Sequence, residues 1–213
     1  MVEPTKKRGN MTSVSIYLAG NIAKSNEKSS KIFWTDQDTE NIRAILNPRH
    51  VSLLNPAERK DDLSDNVGIF GRDMVQVFCS DVIFVDARER RGLGVGAEMM
   101  WAKMNDIPVV TLAPSNSHYL KDEIELLGEK IKDYTHPFVD CLSDAVIESV
   151  EAGAQWILDY LEGKIEKIKG HQDIKEAMAH YKNVRYEADE PMKHLSTLNH
   201  TLRMKIDQLS ALA

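Results

Sequence analysis

The stretch DVIFVDARERRGLGVGAEMMWAK, residues 81–103, decides the fold class of this 213-residue chain. Its first six residues form an apolar run bracketed by two acids, which is typical of a strand buried inside a parallel sheet. Three glycines at alternate positions follow, and a helix is predicted over residues 96–105. A buried strand that leads through a glycine-rich turn into a helix is the unit from which parallel α/β domains are built.

Strands and helices alternate on both sides of this stretch. Short runs rich in β-forming residues predict strands, and apolar residues at helical spacing predict helices. The order predicts a doubly wound α/β domain, flavodoxin- or Rossmann-like, with a mostly parallel sheet of about five strands and right-handed crossovers. The predicted strands are 14–20, 51–54, 81–86, 107–112 and 137–141. The predicted helices are 32–46, 66–79, 96–105, 118–132 and 143–161, the last with Ser143 as its N-cap.

The composition changes along the chain and predicts three regions. Residues 1–12 are polar and basic, and we expect them to be disordered, whereas residues 13–163 hold the α/β domain. Residues 164–213 are rich in Lys, His, Met and Glu, contain a break at Pro191, and are predicted to form a helical extension. One apolar stripe there predicts a helical hairpin packed on its own domain or on a neighbouring subunit, with a partner-binding helix as the alternative. The stripe consists of Leu195, Leu198, Leu202, Ile206 and Leu209.

The bulk composition is that of an ordinary globular protein, with 42% hydrophobic and 28% charged residues. The formal net charge of −6 gives no general basic surface for a nucleic acid polymer. No apolar run approaches the ~18 residues of a membrane-spanning helix, and the first residues lack the apolar core of a signal peptide. Cys79 and Cys141 lie in apolar-looking stretches, so we expect buried, reduced thiols and a cytoplasmic protein.

The glycine-rich turn at residues 92–96 has two familiar interpretations. A phosphate-binding P-loop needs a Lys-Ser/Thr pair after its last glycine, whereas Ala97 and Glu98 stand there, and a carboxylate would repel a triphosphate. Gly92, Gly94 and Ala97 satisfy the dinucleotide pattern G-x-G-x-x-A. However, ARERR separates them from the strand, and no acid ends the next strand. The P-loop is therefore excluded, and a dinucleotide site stays an alternative.

Other kinds of site lack their characteristic spacing. The seven histidines show no H-E-x-x-H pair and no clustering with cysteine, and no serine lies in a G-x-S-x-G turn. We therefore expect no metal, no organic cofactor and no Ser-His-Asp triad.

Carboxylate chemistry is the remaining interpretation of this turn. Glu98 is predicted in the first turn of its helix, at the carboxyl end of the sheet, where open α/β folds bind ligands. Asp73 in the preceding helix and Asp86 at the end of its strand are expected to face the same crevice. Two carboxylates around one bond suit glycosidic cleavage, in which one attacks the anomeric carbon and the other handles protons. The alternatives are an acid favoured by the helix dipole for Glu98 and a polar strand cap for Asp86.

Three segments in a fixed order resemble one enzyme family. They are SIYLAG at 15–20, GRDMVQVFCSDVIFVD at 71–86 and GLGVGAEMMWAK at 92–103. Their order is similar to that in the nucleoside 2-deoxyribosyltransferase superfamily, whose other branch contains the 2'-deoxynucleoside 5'-monophosphate N-glycosidases. The family pattern is a first strand with Y-x-x-G, an aspartate one helix before a D-V-hydrophobic strand, and a G-x-G-x-E helix start. The resemblance spans residues 14–113 and does not extend to the residues after 163.

The resemblance implies that Glu98 is the nucleophile that attacks C1' of the sugar and displaces the base. It also implies that Asp73 transfers a proton at the base or binds the sugar, and that Tyr17 holds the Glu98 carboxylate by a hydrogen bond. A tyrosine donor and a helix N-terminus would both favour the ionised glutamate that this attack requires. The residues expected to bind the substrate are Gly20, Asn21, Asp86, Gly92, Gly94 and Gly96.

Two departures from the family pattern bear on the substrate. The monophosphate branch has serines that hold the 5'-phosphate at the positions of Asn21 and Gly92, so Asn21 itself, the nearby Ser25, and Arg90 or Arg91 would have to compensate for their loss. The L-G-V-G-x-E spelling nevertheless follows that branch. We expect transfer of deoxyribose between bases, with hydrolysis of nucleoside 5'-monophosphates as the alternative and a non-catalytic nucleotide sensor as an alternative of another class. Sites of this family are usually completed by a neighbouring subunit, so a homo-oligomer is expected.

Overall fold

A parallel sheet is the centre of the computed structural model, which describes residues 12–22 and 32–209. The strands are β1 (Ser13–Ala19), β2 (His50–Leu54), β3 (Val82–Asp86), β4 (Val109–Leu112), β5 (Leu120–Leu126), β6 (Glu129–Thr135) and β7 (Ala145–Ile147). Five of them pair in parallel in the order β2-β1-β3-β4-β7, while β5 and β6 form a separate antiparallel pair. The predicted doubly wound α/β class is confirmed. Residues 1–11 of the predicted disordered start lie outside the described residues.

Helices connect the strands of the parallel sheet. They are α1 (Asp36–Leu46), α2 (Asn66–Cys79), α3 (Leu93–Met104), α4 (Pro137–Leu142) and α5 (Val150–Leu161). α1 packs against α5, and α2 packs against α3. Every residue of β3 is buried, as expected for a central strand with both faces covered. Within the described ranges, no helix is both long enough and apolar enough to span a membrane.

Side chains alternate across β1 and so divide its residues between the two faces of the sheet. Ile16 and Leu18 belong to the core cluster that also contains Ile42 of α1 and Ile157 of α5. Tyr17 therefore points to the opposite face, the side of α2 and α3. Both faces are dry, since Ile16 and Tyr17 are each 0% exposed.

The strand order creates a crevice at the carboxyl end of β1. The chain passes from β1 to β2 on one side and returns to β3 on the other side, so the direction of winding reverses there. Open α/β sheets bind ligands at such a switch point, outside the carboxyl ends of the strands. Ala19 pairs with Val85, so the segments that follow β1 and β3 begin side by side.

The predicted helix over residues 118–132 is wrong, because this segment forms the antiparallel hairpin of β5 and β6. The turn residues Leu127 and Gly128 have φ angles of +52° and +85°. A two-residue hairpin turn of type I′ needs positive φ at both positions, and glycine adopts it without steric cost. The flanking residues are rich in Lys and Glu, which favour helices. The prediction from sequence therefore followed helix propensity and missed the turn.

Residues 137–149 also differ from the prediction. The predicted strand over 137–141 is the helix α4, which has a proline in its first turn, where a missing N–H costs no hydrogen bond. The predicted helix over 143–161 begins only at Val150, after β7, and its N-cap is Ser149 rather than Ser143. Ser143 instead shares a 2.6 Å hydrogen bond with the hydroxyl of Thr111.

Two smaller predictions are wrong. The first helix begins at Asp36 rather than at residue 32, because Thr35 and Asp38 form a capping box that starts it there. Cys79 and Cys141 are exposed thiols rather than buried ones. Each cysteine lies in a helix that buries only one of its sides. An apolar stretch of sequence does not show whether a residue lies on the buried or on the exposed side of its helix.

A second compact unit follows the α/β unit, and the chain divides between residues 168 and 169. Pro191 lies in the first turn of its second helix, and Asn199 separates that helix from the next, so the predicted apolar stripe spans two helices. Ile206 of the stripe is buried, whereas Leu195 and Leu198 are exposed. The unit consists of α6 (His171–His180), a π-helical turn (Tyr181–Arg185), a 3-10 turn (Tyr186–Ala188), α7 (Glu190–Leu198) and α8 (His200–Gln208).

Gly153 of α5 lies so close to Phe84 of β3 that a methyl group does not fit between them. A Cβ atom at Gly153 would come within 2.2 Å of the Phe84 ring atom Cζ. We expect Gly153→Ala to lower the free energy of unfolding by about 1–3 kcal/mol, the usual cost of overpacking a core. Urea denaturation measures this change. Gly71→Ala in α2 is the control, because no atom lies within 4 Å of its Cβ position; equal stability of the two variants would contradict the close packing.

Candidate active site

Tyr17 and Glu98 meet in the buried space between β1 and α3. The Tyr17 hydroxyl donates a 2.8 Å hydrogen bond to Glu98 Oε1, although the two residues are 81 positions apart in the sequence. Tyr17 is fully buried and Glu98 is 8% exposed. A one-residue slip of β1 would turn the tyrosine away from α3, so strand register is what brings the pair together.

Glu98 lies in the second turn of α3 rather than in the first turn, where it was predicted. The helix begins at Leu93, directly after its N-cap Gly92, so Gly94 and Gly96 are helical residues and not part of a loop. The helix dipole acts mainly within the first turn. A favourable helix position therefore does not explain a buried acid at Glu98.

Burial raises the pKa of Glu98 to about 7, against an ordinary value of 4.5. The hydrogen bond from Tyr17 lowers the pKa, and the negative charge of Asp73 raises it further. Tyr17 favours the ionised acid, as expected, yet the net shift of the Glu98 pKa is upward, because the carboxylate loses its water and gains only one donor. Its second oxygen, Oε2, is buried and has no hydrogen-bond partner among the described residues.

Tyr17 remains a hydrogen-bond donor throughout the working pH range. Burial and the adjacent Glu98 carboxylate raise the pKa of Tyr17 far above its ordinary value of 10. A phenol that keeps its proton orients one oxygen of the carboxylate and leaves the other oxygen for a different partner. This arrangement suits a carboxylate that attacks an electrophilic carbon.

Asp73 of α2 is the second carboxyl group near Glu98. Its side chain is 15% exposed, and Arg59 and Arg72 approach its Oδ1 atom to 3.6 and 3.5 Å. Burial raises the pKa of Asp73 despite these two cations. Two neighbouring carboxyl groups with raised pKa values are suited to hold and release protons.

Arg59 was not identified from the sequence, yet it reaches Asp73 from the segment between β2 and α2. Asp61 holds its guanidinium, with Nε and Nη2 at 2.8 and 2.6 Å from the two carboxylate oxygens. The Arg59 side chain is only 8% exposed. Its position in the sequence could have identified Arg59, because it follows the carboxyl end of the predicted strand 51–54. Open α/β sheets bind ligands at this edge.

A cavity of about 520 Å³ opens beside Glu98, a volume that suits a small organic ligand. The predicted site residues that line it are Gly20, Asn21, Asp73, Gly92, Gly94 and Glu98. Tyr17, Asp86 and Gly96 are not part of its wall. Its remaining wall is formed by Ile22, Glu89, Arg90, Arg91 and Val95.

Asp86 holds arginine side chains instead of lining this cavity. It is 0% exposed, and Arg88 donates to its two carboxylate oxygens at 2.9 and 3.0 Å. Arg91 Nη2 lies 2.8 Å from Asp86 Oδ1. These contacts support a role in positioning the segment 88–91, and substrate binding by Asp86 stays a prediction.

The predicted site glycines have different surroundings. A Cβ atom at Gly92 would meet no atom within 4 Å, and one at Gly94 would only touch Glu98 Oε1 at 4.0 Å. A Cβ atom at Gly20, by contrast, would lie 3.2 Å from Trp34 Nε1. Packing against tryptophan therefore explains Gly20, whereas the open space at Gly92 and Gly94 leaves room for a ligand, and their substrate-binding role stays a prediction.

The polar groups of the site are carboxyls, a tyrosine hydroxyl and arginines. Among the described residues, no group of three or more His, Cys, Asp or Glu side chains is placed to hold a metal ion. The pair of carboxyls and the protonated tyrosine can carry out nucleophilic and acid–base chemistry on an organic ligand.

No protein-family model and no curated protein matches the chain. Solved structures with a similar fold include a 2-deoxyribosyltransferase from Bacillus psychrosaccharolyticus, which is 15% identical, with a TM-score of 0.47 over 74% of this chain and 98% of that one. They also include a 2-desoxiribosyltransferase from Leishmania mexicana, which is 18% identical, with a TM-score of 0.49 over 69% of this chain and 98% of that one.

The raised pKa of Glu98 predicts a pH-dependent cost of keeping this acid in the fold. The pKa of Glu98 in the folded protein, about 7, lies above the ordinary value of 4.5. The contribution of Glu98 to the free energy of unfolding is therefore full below pH 4.5 and is lost as the pH rises through 7. Glu98→Gln carries no charge at any pH and can still accept from Tyr17. We expect it to be more stable than the wild-type protein at about pH 8 by up to about 3 kcal/mol.

Urea denaturation at several pH values measures this difference, which should vanish at about pH 4. Glu40→Gln is the control, because Glu40 lies on the exposed side of α1. A stability difference between Glu98→Gln and the wild-type protein that does not change with pH would contradict the raised pKa.

Proposed function

We propose that this protein is an enzyme that cleaves the N-glycosidic bond of 2'-deoxynucleosides and transfers the deoxyribose to another base. One observation carries the proposal: the Glu98 carboxylate lies buried beside a cavity, with Oε1 held by Tyr17 at 2.8 Å and Oε2 without a hydrogen-bond partner among the residues that the structure describes. An unsatisfied buried oxygen costs stability, so such a group is expected at a functional site. A carboxylate in this state is suited to attack the anomeric carbon of a sugar.

In the first step, Glu98 Oε2 forms a bond to C1' while the bond between C1' and the base nitrogen breaks. The electron pair of that bond leaves with the base, and the carboxyl group of Asp73 supplies the proton that neutralises it. The raised pKa of Asp73 suits it to carry this proton. The products are a deoxyribosyl ester of Glu98 and a free base.

In the second step, a nitrogen of an incoming base attacks C1', and Glu98 leaves as a carboxylate. The ionised Asp73 accepts the proton that this nitrogen releases. Two displacements in succession retain the configuration at C1'. Tyr17 assists both steps, because its hydrogen bond stabilises the Glu98 carboxylate as the nucleophile and as the leaving group.

Hydrolysis of 2'-deoxynucleoside 5'-monophosphates is the second candidate, and the cations of the cavity wall favour it. Arg90 and Arg91 line the cavity that contains Glu98, and they directly precede Gly92, where the monophosphate branch has a serine. Water would then replace the incoming base in the second step. A nucleotide sensor without turnover would not need the Tyr17–Glu98 pair.

We propose that the exposed apolar side chains of α2 and α3 form a contact between two copies of the chain. The two helices pack against each other, and both carry large apolar residues on their outer sides. Exposed apolar side chains on adjacent helices mark an interface rather than a solvated surface. The residues are Val67, Phe70, Val75 and Phe78 on α2 and Leu93, Trp101 and Met104 on α3. A second copy would stand next to the cavity, since α3 also carries Glu98.

The nucleophile assignment predicts that base release stops when the Glu98 carboxylate is removed. We expect Glu98→Ala and Glu98→Gln to lower base release by about 10⁴-fold, because no other group forms the covalent intermediate. Chromatography of free bases, from a panel of deoxynucleosides and their 5'-monophosphates with and without a second base, measures this loss and separates transfer from hydrolysis. Glu40→Gln is again the control, and substantial turnover by Glu98→Ala would contradict the assignment.

Tyr17→Phe tests the same mechanism in a graded way. Loss of the hydrogen bond should raise the pKa of Glu98 above about 7, so the acid limb of the kcat/KM profile should move to higher pH. Tyr181→Phe is a matched control, because it also removes a hydrogen bond to a carboxylate, that of Asp189 at 2.7 Å in the second unit. Identical pH profiles of Tyr17→Phe and the wild-type protein would reject this role.

The proposed contact predicts an oligomer that charge can dissociate. We expect Phe78→Glu combined with Trp101→Glu to reduce the molar mass measured by light scattering to that of one chain, because a buried unpaired carboxylate opposes association. Leu126→Glu, at an exposed position of the hairpin, is the control. A wild-type protein that is monomeric at micromolar concentration would contradict the proposal.

A further inference from the structure

A second cavity, of about 260 Å³, shares part of its wall with the cavity of Glu98. The shared residues are Arg90, Arg91, Gly92 and Val95. The remaining wall of this cavity comes from the end of β3, from α3, from the segment before β5, and from α4 with its N-cap His136. Two arginines and two histidines line it, and no carboxylate does. They are Arg90, Arg91, His118 and His136.

Arg91 has an unsatisfied donor at this place. Its side chain is 3% exposed, and Nη2 lies 2.8 Å from Asp86 Oδ1. Nε donates to the backbone carbonyl oxygen of Asp86. Nη1 is buried and has no hydrogen-bond acceptor within the part of the chain that the structure describes. A buried guanidinium nitrogen without an acceptor is costly, and an anionic group would satisfy it.

His136 has a second unsatisfied nitrogen in the same wall. Its Nδ1 atom is buried and has no hydrogen-bond partner in the described ranges. The rings of His118 and His136 are 6.4 Å apart, and both contact the ring of Tyr119. Burial lowers the pKa of His118, and the positive charges of Arg90 and His136 lower it further. Basic groups therefore converge on this cavity without an acid among its lining residues.

Tyr119 holds these groups in a fixed arrangement. Its hydroxyl accepts a 2.7 Å hydrogen bond from the backbone N–H of Arg91. Its backbone carbonyl accepts a 2.8 Å hydrogen bond from the backbone N–H of His136. The arginine segment and the histidine are thus joined through one buried residue, and a preformed site binds a ligand without the cost of ordering.

We propose that this second cavity binds the phosphate group of a phosphate monoester. Guanidinium and imidazole N–H groups are the donors that a phosphate dianion accepts, and the first turn of α3, which follows Gly92, has no side-chain cap. Aromatic and aliphatic side chains such as Phe138 and Leu142 provide an apolar wall for the organic part. The phosphate belongs either to a nucleotide bound at Glu98, which rests on the proposed function, or to a separate phosphorylated ligand, which does not.

Titration calorimetry with inorganic phosphate tests this binding without reference to any reaction. We expect the wild-type chain and Glu98→Gln to bind phosphate with similar affinity, because Glu98 does not line this cavity. His118→Gln combined with His136→Gln should weaken binding about tenfold or more, the value of a lost hydrogen bond to a charged group. Arg90→Gln is a second variant at an exposed position, and His50→Gln, exposed at the start of β2, is the control.

The outcomes of this titration are decisive in both directions. Weaker phosphate binding in the double histidine variant and in Arg90→Gln, with unchanged binding in His50→Gln, supports the site. Absence of phosphate binding by the wild-type chain, or equal affinity in all variants, would overturn it. If the double histidine variant does not fold, Arg90→Gln alone provides the comparison.

Steady-state kinetics distinguish the two sources of the phosphate. If it belongs to the substrate, inorganic phosphate competes with the 5'-monophosphate, and Arg90→Gln raises the KM for that substrate but not for the nucleoside. If a separate ligand binds, inorganic phosphate changes nucleoside turnover without competing for the site of Glu98. Phosphate binding without any base release would reject the proposed function while leaving the phosphate site intact.

Discussion

The parallel pairing of β1 with β3 is the constraint on which the candidate site depends. It brings the segments after Ala19 and Asp86 to one crevice, because the carboxyl ends of the two strands lie side by side. Alternation along β1 then turns Tyr17 towards α3, where its hydroxyl reaches Glu98. If the register slipped by one residue, Leu18 would face α3 and the carboxylate would lose its donor.

Desolvation governs the chemistry of this site more than any single hydrogen bond. The donor Tyr17 stabilises the Glu98 carboxylate, yet burial still raises the pKa of the acid to about 7. Asp73 follows the same rule, since burial outweighs the cations Arg59 and Arg72. A site built in this way holds two acids that change their protonation more readily than ordinary carboxyls, which is what a proposed double displacement at C1' needs.

The charged segment 88–91 connects the two cavities of the α/β unit. Arg88 and Arg91 neutralise the buried carboxylate of Asp86, so the segment is held firmly against the end of β3. Arg90 and Arg91 line both cavities. The two cavities differ in their acids: Asp73 and Glu89 line the cavity of Glu98 beside these arginines, whereas no acid lines the neighbouring cavity, where we propose a phosphate group.

The sequence by itself determined the parallel α/β class, because buried strands and helix periodicity are local patterns. Its resemblance to a known family led to the prediction of Tyr17, Asp73 and Glu98 as site residues, which stays a prediction. It did not reveal the hairpin turn at Gly128, where tertiary context overrode helix propensity. Only the tertiary structure decided that Glu98 lies in the second turn of its helix, loses its water, and takes one donor from a strand 81 residues away. It also decided which basic side chains face a cavity, as for His136. The physical reason is that burial and long-range contacts depend on how distant segments pack, and no local pattern records that.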